Sequence, residues 1–167
     1  MNYHKIEKYS TENGIGIRCV LWVSGCSLHC KGCQNPSTWD FDSGKPFDEK
    51  AKQELFEVLS KPYIHGLTLS GGHPLDDNNY QSVIDLVKEV KTQFPTKDIW
   101  LYTGYTLEEI YYREKARILL YIDVLVDGPY IEDQRDISLS FRGSRNQRLI
   151  NIQETLKQGQ LVTLQND

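Results

Sequence analysis

The chain has 167 residues, 39% of them apolar and 25% charged, with a net charge of −4 at neutral pH. That length favours one domain (1–167) around one core, and the acidic balance excludes the strongly basic footprint of a nucleic-acid-binding protein. No apolar run is long enough to span a bilayer, and the opening Met1-Asn2-Tyr3-His4-Lys5 lacks the apolar stretch of a secretory signal, so a reducing cytoplasm is the expected compartment.

Taken in chain order, strands alternate with helices. Ile17 to Val23 is rich in β-branched and aromatic residues, predicts a strand, and stops at Ser24-Gly25. Asp48 is placed to cap a helix whose apolar face is Ala51, Leu55, Val58 and Leu59. Gly66 to Ser70 reads as a short buried strand running into the turn Gly71-Gly72-His73-Pro74. After Asp77, the residues Tyr80, Val83, Ile84, Val87, Val90 and Phe94 recur at helical spacing until Pro95 ends the pattern. Ile99 to Tyr102 predicts the next strand, stopped by Thr103-Gly104. Thr106 and Glu109 fit a capping box, and Tyr121 to Val126 predicts a fourth strand broken by Asp127-Gly128-Pro129. Beyond Tyr130, Ile150 to Ile152 and Leu161 to Leu164 are candidates for short strands.

Such alternation implies parallel β-α-β units. A closed eight-stranded barrel typically needs roughly 250 residues, so the expected fold is α/β, an open or partial (β/α) barrel with mostly parallel strands. Chemistry on such a sheet gathers beyond the C-terminal strand ends. The cysteines, Gly71-Gly72, Thr103-Gly104 and Asp127-Gly128 are all expected on that edge.

Three of the four cysteines fall within Cys26-Ser27-Leu28-His29-Cys30-Lys31-Gly32-Cys33, with spacing C-x3-C-x2-C. In a reducing compartment this density points to metal rather than to disulfides. Three thiolates in one loop can converge on three corners of an iron–sulfur cubane, leaving one iron open to a substrate. Zinc is the competitor, with His29 or Cys19 completing four ligands, although the usual pair of separated C-x2-C motifs is absent. Cys19 lies mid-strand and reads as a small buried hydrophobe. His4, His29 and His65 have no evident partner, and Trp22 and Trp100 read mainly as core. Tyr105, beside Thr103-Gly104, is the aromatic residue singled out for the site.

With this loop placed after the first predicted strand, the chain resembles the radical S-adenosylmethionine superfamily. Within it, the chain is similar to the activating proteins of anaerobic ribonucleoside-triphosphate reductase. The resemblance runs from about Met1 to Arg148. Before and around the cysteines it rests on Asn13-Gly14-x-Gly16-x-Arg18, Leu21-Trp22-Val23-Ser24-Gly25-Cys26, Gly32-Cys33, Asn35 and Ser37-Thr38-Trp39. Further on it rests on Leu67-Thr68-Leu69-Ser70-Gly71-Gly72, Lys97-Asp98-Ile99-Trp100, Thr103-Gly104-Tyr105, Val126-Asp127-Gly128 and Arg142-Gly143-Ser144-x-Asn146-Gln147-Arg148. Residues 149–167 lie outside it.

The resemblance implies a 4Fe-4S cluster on Cys26, Cys30 and Cys33, with S-adenosyl-L-methionine chelating the fourth iron. An electron from a donor such as flavodoxin would cleave the cofactor, and the 5′-deoxyadenosyl radical would take a hydrogen atom from a glycine of the reductase. The same resemblance implies cofactor contacts at Gly32, Cys33, Gln34, Gly71, Gly72, His73 and Asp127. Asp127 matches a position that faces the cofactor or a cation in related activases, and as an aspartate before Gly-Pro it is also an ordinary turn residue. Two positions depart from the family pattern: Gln34 stands where an aromatic residue is usual, and His73 where an acid usually meets the methionine ammonium. Arg142, Arg145 and Arg148 form a local basic patch, read as a cofactor or reductase contact or as a solvated face. Activation of another glycyl-radical enzyme, radical chemistry on a small molecule, and a non-catalytic metal-binding module are the alternatives.

Overall fold

The structure is a computed structural model describing residues 1–164. Seven strands form one open sheet: β1 (Asn2–Ser10), β2 (Arg18–Val23), β3 (Lys45–Pro46), β4 (Gly66–Gly71), β5 (Asp98–Tyr102), β6 (Val124–Asp127) and β7 (Arg148–Asn151). Their spatial order is β3-β1-β2-β4-β5-β6-β7. The four central strands, β2, β4, β5 and β6, are mutually parallel. Antiparallel strands flank them, β1 and β3 on one side and β7 on the other. The expected α/β architecture with an open sheet is therefore present, with parallel pairing confined to the four central strands and the other three strand pairs antiparallel.

The helices are α1 (Glu49–Leu59), α2 (Asp77–Gln93), α3 (Leu107–Tyr112) and α4 (Ile152–Gln158), and the first three form for local reasons legible in the sequence. Asp48 accepts from the Ala51 amide and starts α1, whose buried face is Ala51, Leu55, Val58 and Leu59. Asp76 caps α2. Thr106 and Glu109 close the expected capping box on α3.

Side-chain alternation along the strands sorts the two faces of the sheet. Cys19, Leu21, Val23, Leu67, Leu69, Ile99, Leu101 and Leu125 pack with the helices into the main core. On the other face, Trp100, Val124, Val126 and Leu149 form a smaller cluster. Arg18 is fully buried, its guanidinium tied to Thr68 Oγ1 (2.8 Å) and Asp98 Oδ1 (2.7 Å) and lying over the Trp100 ring. Satisfied in this way, a buried cation is tolerated.

Three boundaries differ from expectation. Tyr121 closes a 3-10 turn (Ala116–Tyr121), and β6 starts only at Val124. The intervening Asp123 takes Lys91 Nζ at 2.6 Å and the Ile99 amide at 2.8 Å, which pins the connection before the strand. Ile150 and Asn151 belong to β7, but the Asn151 side chain caps α4 and turns Ile152 into a helix. Residues 161–164 make no named strand; they meet β7 through the single bridge Ile150–Thr163. No helix among the described residues is long and apolar enough to cross a membrane.

Candidate functional site

All four parallel strands end on one edge, and a cavity of about 750 Å³ opens there. The loop after β2 supplies Cys26, Cys30, Cys33 and Gln34; the end of β4 and the loop after it supply Gly71, Gly72 and His73. Thr103 and Gly104 follow β5, and Gly128 and Tyr130 follow β6. Residues far apart in sequence are thus brought together by strand parallelism alone.

The cysteine loop is shaped by backbone hydrogen bonds. Gly25 N–H donates to Thr38 O (2.6 Å), Cys26 N–H to Trp39 O (3.0 Å) and Cys33 N–H to Cys30 O (3.1 Å). The three thiols are free and half-buried. Asn35 N–H donates to Cys33 Sγ at 3.3 Å. Burial pushes the Cys26 thiol pKa up, and backbone amide hydrogen bonds from Leu28 and His29 oppose the shift. Amides aimed at sulfur favour the thiolate, the form that binds metal. Among the described residues no three His, Cys, Asp or Glu side chains converge as ligands of a single ion. A cubane makes no such demand, because each thiolate takes a different iron. Three free thiols around one cavity, with amides already aimed at two of the sulfurs, fit a cluster.

The Gly71-Gly72 turn lies flat against this loop. A Cβ at Gly72 would sit 2.5 Å from Gly25 O, and one at Gly71, where φ is +105°, would sit 2.7 Å from Val23 N and O. Only glycine permits that approach. Gly72 N–H donates to Val23 O (2.8 Å) and His73 N–H to Gly25 O (2.7 Å). Two residues not singled out in the sequence complete the clamp. Asn79 Nδ2 donates to Ser24 O (3.0 Å) and His73 O (3.1 Å). Asp76, while capping α2, accepts from Ser27 N–H at 3.1 Å. Their signal was present as Asp and Asn at a helix start, but such residues commonly do no more than cap.

His73 is buried, with Nε2 2.7 Å from Thr103 Oγ1 and its ring edge-on to Tyr105 at 4.5 Å. Desolvation lowers its pKa to about 4, so the imidazole is neutral. Tyr105 is buried beside it and carries Arg113 over its ring.

Two predicted cofactor contacts lie off the cavity wall. Gly32 faces Glu132, whose carboxyl carbon a Cβ would meet at 2.9 Å. Asp127 is buried and fully engaged: Leu107 N–H donates to Oδ2 (2.8 Å) and Arg148 Nε to Oδ1 (3.0 Å). Arg148, reaching on to Glu108, is accordingly an ion-pair partner rather than part of an open basic patch. Arg142 does line the cavity. So does Trp22, read from sequence as core; its Nε1 donates to Glu7 Oε2 at 3.3 Å and Lys5 lies over its ring. His29 stacks on Trp39 with ring centroids 4.2 Å apart.

Comparison with known proteins agrees with this geometry. Residues 12–150 match a family described as a 4Fe-4S single cluster domain. The anaerobic ribonucleoside-triphosphate reductase-activating protein of Vibrio cholerae is 48% identical over 149 residues, covering 88% of this chain and 96% of that protein. The protein of the same name from Enterobacteria phage T4 is 46% identical, covering 89% and 93%, and that of Escherichia coli K12 is 42% identical, covering 88% and 96%. The chain belongs to the 4Fe-4S single-cluster family and, within it, to the anaerobic ribonucleoside-triphosphate reductase-activating proteins.

Proposed function

We propose that this chain activates an anaerobic ribonucleoside-triphosphate reductase by radical S-adenosylmethionine chemistry, generating a glycyl radical on it. What carries the reading is one juxtaposition: Cys26, Cys30 and Cys33 share a cavity with the Gly71-Gly72 turn at the ends of four parallel strands. The open sheet is read as the partial barrel of that superfamily. When bound, a 4Fe-4S cluster supplies one electron, from a donor such as flavodoxin, to cleave S-adenosylmethionine into methionine and the 5′-deoxyadenosyl radical that removes hydrogen from a glycine Cα.

The residues divide the remaining work. Cys26, Cys30 and Cys33 would hold three irons, and a loop without a fourth thiol leaves the last open to the cofactor. Gly71 and Gly72 bring backbone to the cavity wall without side-chain bulk. Gln34, exposed beside Cys33, is assigned to the adenine side, with polar contacts in place of stacking. The fold positions the cofactor and shields the radical; the bond cleavage is the cofactor's own chemistry.

Anaerobic reconstitution followed by iron and sulfide analysis, then addition of S-adenosylmethionine and a reductant, tests the reading. Iron and sulfide near four each per chain, with release of 5′-deoxyadenosine, is the expected result. Zinc in place of iron, or a loaded cluster that never cleaves the cofactor, would refute it.

A further inference from the structure

Between Gln134 and Arg145 the chain leaves the sheet and returns as an ordered hairpin. Arg135 and Ser144 bridge its base, with Asp136 N–H donating to Gly143 O (3.2 Å) and Arg145 N–H to Gln134 O (2.9 Å). At its tip the Asp136 carboxylate accepts from the Ser138 amide (2.9 Å) and hydroxyl, and Leu139 N–H donates to Asp136 O (3.3 Å). The returning arm is bent at Phe141, whose φ of +63° is a left-handed conformation that bulky residues seldom adopt. Such strain persists only where surrounding contacts enforce it. Here Tyr102, at the end of β5, donates its hydroxyl to Phe141 O at 2.6 Å, and the Trp100 ring meets Phe141 edge-on at 5.3 Å. The ordered tip presents Ile137, which is 88% exposed, and Arg135, Ile137, Leu139 and Phe141 all line the cavity. A lone exposed apolar residue needs no explanation. One held out by a tied-down, strained hairpin at the mouth of the reaction cavity does. Tyr112 and Leu120 are also strongly exposed, but neither lines the cavity.

We infer that this hairpin is the docking lip for the glycine-bearing segment of the reductase, with Ile137 as its apolar anchor. This rests on the functional reading above. Hydrogen removal requires the glycine Cα to reach the cofactor inside the cavity, so the segment that carries it must cross the cavity mouth. A small molecule enclosed by the cavity would leave Ile137 in water, whereas a protein segment passing over the lip covers it. The Tyr102–Phe141 hydrogen bond ties the lip to β5, one of the strands whose ends carry the site, and so sets the docked segment in register with the chemistry. Because the hairpin is already ordered, little conformational freedom is lost when it is covered.

Direct binding of the full-length, cluster-loaded chain to its anaerobic reductase, measured without oxygen and with S-adenosylmethionine present, provides the test. Ile137→Asp should keep the iron, sulfide and unfolding temperature of the wild type, because the side chain is exposed. It should bind the reductase roughly tenfold more weakly or worse, as for an isoleucine side chain that is no longer buried. Ile137→Leu should restore most of the affinity. With electrons from a chemical reductant, glycyl-radical formation by Ile137→Asp should need correspondingly more reductase for half-saturation and approach the wild-type yield at saturation. Unchanged affinity, or a yield that falls while half-saturation stays put, would overturn the inference. So would a defect confined to reduction by a protein electron donor or to self-association of the chain. A wild type that binds the reductase yet forms no radical overturns the functional reading instead, and the binding comparison still decides the lip.

Discussion

Arg148 holds Asp127 across the β6–β7 pair, with Nε 3.0 Å from Oδ1 and 3.2 Å from Oδ2. The carboxylate is buried and the guanidinium half-buried, and the same Asp127 anchors the first amide of α3. One aspartate thereby fixes an edge strand and a helix start. Asp127→Asn should destabilise the chain by about 2–3 kcal/mol, discounted for the partial exposure of Arg148. Cluster content should be unchanged. Urea unfolding midpoints and iron analysis on the same sample check both halves.

The cysteines should separate into two classes. Replacing Cys26, Cys30 or Cys33 by alanine should lower bound iron and sulfide sharply. Cys19→Ala should leave them unchanged, because Cys19 is buried in the helix-side core and its thiol pKa is raised to about 12 by desolvation. Its cost should be one of stability, about 1 kcal/mol for the lost packing.

Gly72→Ala tests the flat contact between the β4 turn and the cysteine loop. Gly72 needs no positive φ; its constraint is steric, the backbone oxygen of Gly25 lying 2.5 Å from the added Cβ. Neither backbone can yield easily, so the expected cost is about 1–3 kcal/mol, with weakened S-adenosylmethionine binding. Thermal unfolding and equilibrium binding measure the two effects.

His73 should make stability pH-dependent in a defined window. Its folded pKa, lowered to about 4 by burial, lies below the unfolded value of about 6.5. Its contribution is present above the unfolded value and is lost as pH falls towards the folded one, because only the unfolded chain takes up the proton in between. Between about pH 7 and about pH 5 the loss should approach about 2 kcal/mol. Denaturant titrations of wild type and His73→Asn should show that difference, and the variant should lack it.

Much of this was legible in the sequence because it is local. The alternation of Leu67 and Leu69 around Thr68, the Asp48 and Thr106 caps, and the spacing of Val83, Val87 and Val90 each announce their element. β1 was not legible: in Asn2–Ser10 only Tyr3 and Ser10 are buried, so the strand carries too few apolar residues to mark a period. What fixes it is pairing with β2, a long-range effect. The same holds at the site. That the three cysteines and two glycines gather on one sheet edge was readable from type and spacing. The ion pair that engages Asp127 was not readable, because its partner Arg148 lies 21 residues away, and Trp22 could not be placed on the cavity wall until the sheet assigned it a face.

The most direct test mixes the cluster-loaded chain with its anaerobic reductase, a reductant and S-adenosylmethionine, and records the EPR spectrum. A glycyl-radical signal on the reductase, absent when S-adenosylmethionine is omitted, is the predicted result. A fully loaded cluster that yields no such signal would contradict the assignment.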